Sequence, residues 1–304
     1  MYFASTIDAY DAEYAARILP LVDLIEITPD RWALQRGPGE AGIPQQHLDF
    51  LAALGARRPI SLHGVGLSIG SHDRWSQAYV GRLRQLFEVL PVRWHSEHLA
   101  YCEVDGEPLG MMIELPRTRA VLDLVCARID ALQQQFQVPF LLENISCLIP
   151  EDRDAQYSRA GFLNAIVDRT GCELLLDALH LECDQHNQLL DAEDFLDELN
   201  LDAVGEIHLA GGSRYKDYRL DRPTRLVDDS TLALAQHAAV RCPQLRAITF
   251  ELLHEAVDGI GLDAVVDELR RLRKAFGLPL VQAPPPMPGD ALANWGGFSS
   301  HAWA

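Results

Sequence analysis

Seven side chains that can bind protons or metals sit at matching places in short apolar runs: Glu26, His63, His98, Glu143, Asp177, His208 and Glu251. Their neighbours are apolar, as with Leu142 before Glu143, Leu176 before Asp177, Ile207 and Leu209 around His208, and Phe250 and Leu252 around Glu251. Alternate residues of a strand share a face, so if these runs are strands the apolar set points one way and the titratable set the other. Four carboxylates and three imidazoles converging there, with no Lys or Arg in phase, would repel and desolvate one another. Bound cations resolve that conflict. Mixed imidazole and carboxylate donors without thiolate suit iron, manganese or zinc rather than an iron–sulfur cluster. Six or seven donors exceed what one ion takes while leaving room for substrate, which predicts two ions bridged by a carboxylate, with Glu143 the candidate bridge.

The elements that must position these residues alternate along most of the chain. Apolar runs fall at 2–6, 22–28, 59–65, 92–99, 139–145, 173–178, 204–210 and 247–252. Amphipathic stretches lie between or after them, at 45–55, 73–90, 117–136, 158–170, 192–199, 230–241 and 262–276. Strand followed by helix at a mean spacing of about 35 residues is the pattern of a closed (β/α)8 TIM barrel, an α/β fold. An open doubly wound sheet is the alternative, but HGVGLSIG at 63–70 lacks the GxGxxG spacing of a dinucleotide loop. The titratable residues fall near the carboxyl ends of the runs, where barrel enzymes build their active sites. A single barrel domain is expected over 1–280, with a Pro/Gly-containing loop at 29–44. The tail 281–304, with its proline cluster, is expected to be irregular and flexible.

Composition bounds the rest. The 304 residues are 48% hydrophobic and 23% charged, an ordinary globular balance. Lys plus Arg total 26 against 44 Asp plus Glu, a formal net charge of −18. Such a field repels phosphate, so neither nucleic acid nor an anionic membrane is an expected partner, and no local basic cleft is expected. The six cysteines form no CxxC pair and read as reduced thiols. With no signal-like start and no apolar run long enough to span a bilayer, a cytoplasmic location is expected.

The motifs around the titratable residues are LHGVGLSIGS (62–71), SEHLAY (96–101), LLENIS (141–146), LLLDA (174–178), EIHLAG (206–211) and FE (250–251). In this order they resemble the multinuclear non-haem iron oxidative enzymes, domain-of-unknown-function family 692, which includes the methanobactin oxidase. The resemblance covers residues 20–255 and implies oxidative modification of a ribosomally made precursor peptide, at cysteine or another residue. It further implies two or three irons of mixed Fe(II)/Fe(III) state, O2 as co-substrate, and a small peptide-recognition partner protein. Carried over, His63, His98 and Glu143 match the ligands of one iron. Glu143 would bridge to a second, held by Asp177, His208 and Glu251. Glu26 and Asn144 would stand behind the ligands or touch substrate.

The chain departs from the family pattern near a third iron. Where relatives carry Asn after the sixth-strand aspartate, Leu179 and His180 stand here, and only His180 can ligate a metal. HLAGH or HVAGY becomes HLAGG, with Gly212, and Leu253 stands where an Asp is common. The family's Asp-x-His aligns best with Asp228-Asp229-Ser230, which keeps Asp228 as a possible ligand but lacks the histidine. Two other readings fit the same donors: a divalent-metal sugar isomerase or epimerase, and a non-catalytic peptide-binding relative. A metal-dependent endonuclease would use similar ligands, but the charge opposes it.

Overall fold

Among the described residues the computed structural model has twelve strands. In chain order they are β1 (Tyr2–Thr6), β2 (Leu24–Ile27), β3 (Ile60–Gly64), β4 (Val92–His98), β5 (Ala100–Val104), β6 (Glu107–Glu114), β7 (Phe140–Glu143), β8 (Glu173–Asp177), β9 (Val204–Leu209), β10 (Gly211–Tyr215), β11 (Tyr218–Arg225) and β12 (Ala247–Phe250). Eight of them close into one parallel barrel in the order β1-β12-β9-β8-β7-β4-β3-β2. These are the eight apolar runs, each trimmed by at most a few residues. The structure describes all residues except 10, 33–41, 73–74, 106, 148–149, 151–153, 280 and 282–304. The expected loop at 29–44 is therefore described only at its two ends, and the expected tail lies outside the described residues but for Val281.

Helices cover the barrel because their apolar residues recur every three or four positions. In Arg119–Phe136 these are Leu122, Val125, Cys126, Ile129 and Leu132. Thr118 and Ser158 fix helix starts by accepting from Val121 N and Gly161 N. The stretch expected to be helical from residue 73 begins only at Gln77, since Ser76 caps it by accepting from Tyr79 N. No described helix is long and apolar enough to cross a membrane.

Two antiparallel hairpins were not legible as strands. β5 and β6 pair directly after β4, and β10 and β11 pair directly after β9. Both therefore stand at the carboxyl-terminal rim. A further helix, Ala178–His186, begins at the end of β8, with Asp177 as its N-cap.

Inside the barrel, the inward phase of each strand is apolar at the bottom and polar above. Ala4, Leu24, Trp94, Leu141, Leu175 and Ala247 form a buried layer of their own, separate from the main core between strands and helices. Trp94 Nε1 donates to Glu206 Oε2 at 2.6 Å, and Thr249 Oγ1 donates to Glu206 Oε1 at 2.5 Å. The Arg246 guanidinium lies 4.8 Å from the Trp94 ring. Glu206 is thus a fully buried acid satisfied by two neutral donors. It was missed in the sequence although it lies in phase with His208.

Candidate metal centre

Parallel pairing brings the titratable residues together at the top of the barrel. His98 is opposite Glu143 across β4 and β7, and Asp177 is opposite His208 across β8 and β9. The His63 ring centroid is 4.7 Å from that of His98 and 4.8 Å from that of His208. Four three-residue groups have potential ligand atoms within 4.8 Å of one another. They are Glu26/His63/His208, His63/His98/Glu143, Glu143/Asp177/His180 and Asp177/His208/Glu251. All seven inward residues are therefore in one cluster, with His180 the eighth. Glu143 and Asp177 each belong to two groups, which is the arrangement a bridging carboxylate requires.

The hydrogen bonds orient the donors inward. His98 Nδ1 donates to the Gly64 carbonyl at 2.9 Å, leaving the Nε2 lone pair aimed at Glu143 Oε2, 3.0 Å away. Ser96 Oγ donates to the Leu62 carbonyl and so accepts from His63 Nδ1 at 3.0 Å; His63 Nε2 then faces Glu143 Oε2 at 3.3 Å. Imidazoles held by one nitrogen with the other left bare are the usual preparation of metal-binding histidines. His208 presents Nδ1 to Glu251 Oε2 at 3.7 Å and to Glu143 Oε1 and Asp177 Oδ2 at 4.0 Å, while its Nε2 contacts Glu26.

Asn144 positions two members. Its side chain accepts from Asp177 N at 2.9 Å and donates to the Asp177 carbonyl, while its own carbonyl accepts from His180 Nδ1 at 2.7 Å.

The cluster is unsatisfied without a cation. Glu143 Oε1 and Oε2, His63 Nε2, His208 Nδ1, Asp177 Oδ2 and Glu26 Oε1 are all buried with no hydrogen-bond partner. Among the described residues no Lys or Arg lies within 4.0 Å of these carboxylates; only imidazoles do. Burial pushes the Glu143 carboxyl well above the usual range, Asp177 up to about 6 and Glu26 up to about 8. Burial and the adjacent rings push His63 far down, and burial takes His98 to about 4. Burial also opposes charge on His208, but Glu26, Glu251 and Glu143 hold its pKa high. Burial thus disfavours charge on the carboxylates and on His63 and His98 alike. The donor set fits divalent or trivalent ions.

The third region differs from the expectation. Asp228 is not brought to the cluster: it pairs with Arg219, which also binds Glu182 at 2.8 Å. Ser230 Oγ likewise turns to Glu182. Asp221 is the carboxylate that reaches His180, with Oδ2 at 2.9 Å from His180 Nε2. The residue was missed because it lies on the return strand of the unanticipated β10–β11 hairpin. Burial would raise Asp221, yet His180 holds it below the usual carboxylate range.

Two of the sequence departures meet here. A Cβ on Gly212 would come within 2.9 Å of Leu179 Cδ1 and 2.8 Å of the Leu220 carbonyl, so only glycine lets the hairpin close against the helix. Just past β1, Asp8 is another buried carboxyl near Glu251, pushed up to about 7 by burial. Cys147 and Cys183 are buried, and the six cysteines are free thiols.

Comparison with known proteins gives a consistent result. A family model described as RiPP precursor modification enzyme MbnB/TglH/ChrH matches residues 9–275. A UPF0276 protein of Caulobacter vibrioides is 33% identical over 222 residues, covering 73% of this chain and 76% of its own length. One from Bordetella pertussis is 37% identical over 198 residues, 65% of each chain. Among solved structures, a xylose isomerase domain protein of Salmonella typhimurium superposes with TM-score 0.58 at 12% identity, covering 90% of this chain and 96% of that one. Endonuclease IV of Thermus thermophilus gives 0.56 at 14%, covering 91% and 99%. At such identities the likeness is one of fold alone.

Proposed function

This chain belongs to the MbnB/TglH/ChrH family of RiPP precursor modification enzymes, and we propose that it oxidises a ribosomally made precursor peptide, at a cysteine, using O2 and two or three bound irons. The observation that carries the metal part is the buried cluster of orphaned carboxylate and imidazole atoms with no cationic side chain among them. His63, His98 and Glu143 would hold one ion; Asp177, His208 and Glu251 a second, with Glu143 bridging. His180 and Asp221 would face a third. Iron would supply O2 activation and an open position for a thiolate, whose pKa it lowers.

The chain's own residues do the rest. Glu26 orients His208 through its Nε2, and Asn144 fixes Asp177 and His180 together. The Trp94 layer closes the barrel from below and keeps water from that side. Glu251, with its side chain 21% exposed, marks the open side from which a peptide enters. The family resemblance adds a small peptide-recognition protein as working partner.

Elemental analysis with Mössbauer spectroscopy, on protein isolated anaerobically from iron-supplemented cells, tests this reading. About two to three coupled irons per chain are expected. Zinc or manganese alone, with no iron and no O2 uptake, would replace it with an isomerase-type reading. The third position is tested separately: Asp221→Asn is expected to lower the iron count or change the Mössbauer components, while Asp228→Asn leaves both as they are. Equal effects of the two variants would remove Asp221 from the centre.

A further inference from the structure

Among the described residues, the β10–β11 hairpin is a strongly basic ribbon in a chain of net charge −18. Residues 211–225, GGSRYKDYRLDRPTR, hold five cations against two aspartates, and include one of only two lysines in the chain. The absence of a basic cleft expected from overall charge therefore does not hold locally, because cations from a short stretch of sequence are folded onto one element.

The hairpin has two unlike faces. On one, Arg219 is buried against Glu182 and Asp228, and Asp221 reaches His180. Asn187 locks this face to the neighbouring helix, accepting from Arg219 N and donating to its carbonyl at 2.8 Å each. Pro223 carbonyl accepts from Leu253 N, tying the return strand to the segment that follows Glu251. The hairpin is thus a rigid wall of the mouth.

The other face is open. Tyr215 pairs opposite Tyr218, and Leu220 and Arg222 continue the same side of β11. Tyr215, Tyr218 and Leu220 are 62%, 59% and 40% exposed. Arg214, Lys216, Arg222 and Arg225 are exposed too, and none makes an ion pair among the described residues. Other exposed arginines are paired in several places, as Arg17 is with Asp263 and Arg169 with Asp123, though Arg84 and Arg93 make no ion pair among the described residues. Arg222 lies on this face and Lys216 at its turn, while the register sets Arg214 opposite Arg219; two unpaired cations beside two tyrosines and a leucine make a surface for a partner that is acidic and partly apolar.

We propose that this face of the β10–β11 hairpin docks an acidic segment of the precursor peptide, outside the residue that is modified; the identity of the occupant rests on the reading above. An extended peptide advances about 3.3 Å per residue, so a few residues carry it over the hairpin edge toward the cluster. A peptide is favoured over nucleic acid because the ribbon is short and the chain as a whole carries a net charge of −18. A phosphate backbone extending beyond it meets an acidic surface.

The test is binding to the full-length, metal-loaded protein. The probes are a fluorescein-labelled peptide rich in Glu and Leu, its Lys-for-Glu counterpart, and an oligothymidylate strand. The acidic peptide is expected to bind best, more weakly as salt rises. The double variant K216E/R222E is expected to weaken it about tenfold, with iron content and thermal midpoint unchanged. The neutral double K216Q/R222Q should fall between. Equal binding of acidic and basic peptides, tighter binding of the oligonucleotide, or variants that bind as the parent does would each overturn the inference. Iron-loaded protein that ignores the acidic peptide overturns this inference alone; protein that binds the peptide but carries only zinc overturns the iron reading alone.

Discussion

Glu143→Ala is expected to yield a folded barrel with metal content reduced from about two ions per chain to near zero. The carboxylate lies in both the His63/His98 group and the Asp177/His180 group, so its removal takes a donor from two positions at once. It also removes a crowded acid of the metal-free chain, one with both oxygens buried and unpartnered. Taking away an uncompensated buried carboxyl relieves a desolvation cost, so the metal-free variant should melt no lower than the metal-free parent. Glu143→Gln keeps the volume and loses the charge, and should behave similarly in metal content. Elemental analysis beside a thermal melt followed by circular dichroism checks both halves. Full metal content in either variant would sink the assignment of Glu143 as the shared ligand.

Trp94→Ala is expected to destabilise the chain by about 3–5 kcal/mol through the cavity it opens in the lower barrel layer. The loss of its Nε1 donor leaves Glu206 Oε2 with an unmade hydrogen bond, adding about 1–3 kcal/mol. Trp94→Phe separates the two effects, because it retains most of the ring and none of the donor. Urea unfolding of metal-free protein measures both. Trp94 sits in the layer below the His/carboxylate cluster, so metal content should change little in Trp94→Phe. A Phe variant as stable as the parent would show that Thr249 alone satisfies Glu206.

How far the site was legible differs residue by residue. His63, His98, Glu143, Asp177, His208 and Glu251 could be placed on one face because each lies in a short run whose neighbours are apolar. The strand pleat converts that alternation directly into an inside and an outside. Glu206 carried the same signal and was passed over because it lies one step deeper, where a barrel interior is usually apolar. Helix starts were off where a capping serine, Ser76, overrode the apolar pattern. Asp221 carried no local signal at all: nothing in LDRP distinguishes it from a solvent-facing turn residue.

The sequence by itself determined the barrel, its strand order along the chain, and the inward set of donors, since all three follow from periodicity within a few residues of each position. Tertiary structure decided which donors share an ion-sized space, that Asp221 rather than Asp228 meets His180, and that an otherwise acidic chain carries a basic wall at its mouth. Those outcomes depend on contacts between distant segments. Asn187 holds Arg219, Pro223 meets Leu253, and Gly212 admits Leu179. A local pattern encodes which way a side chain points, but the position of a return strand is set only when the hairpin packs against the helix and loop beside it.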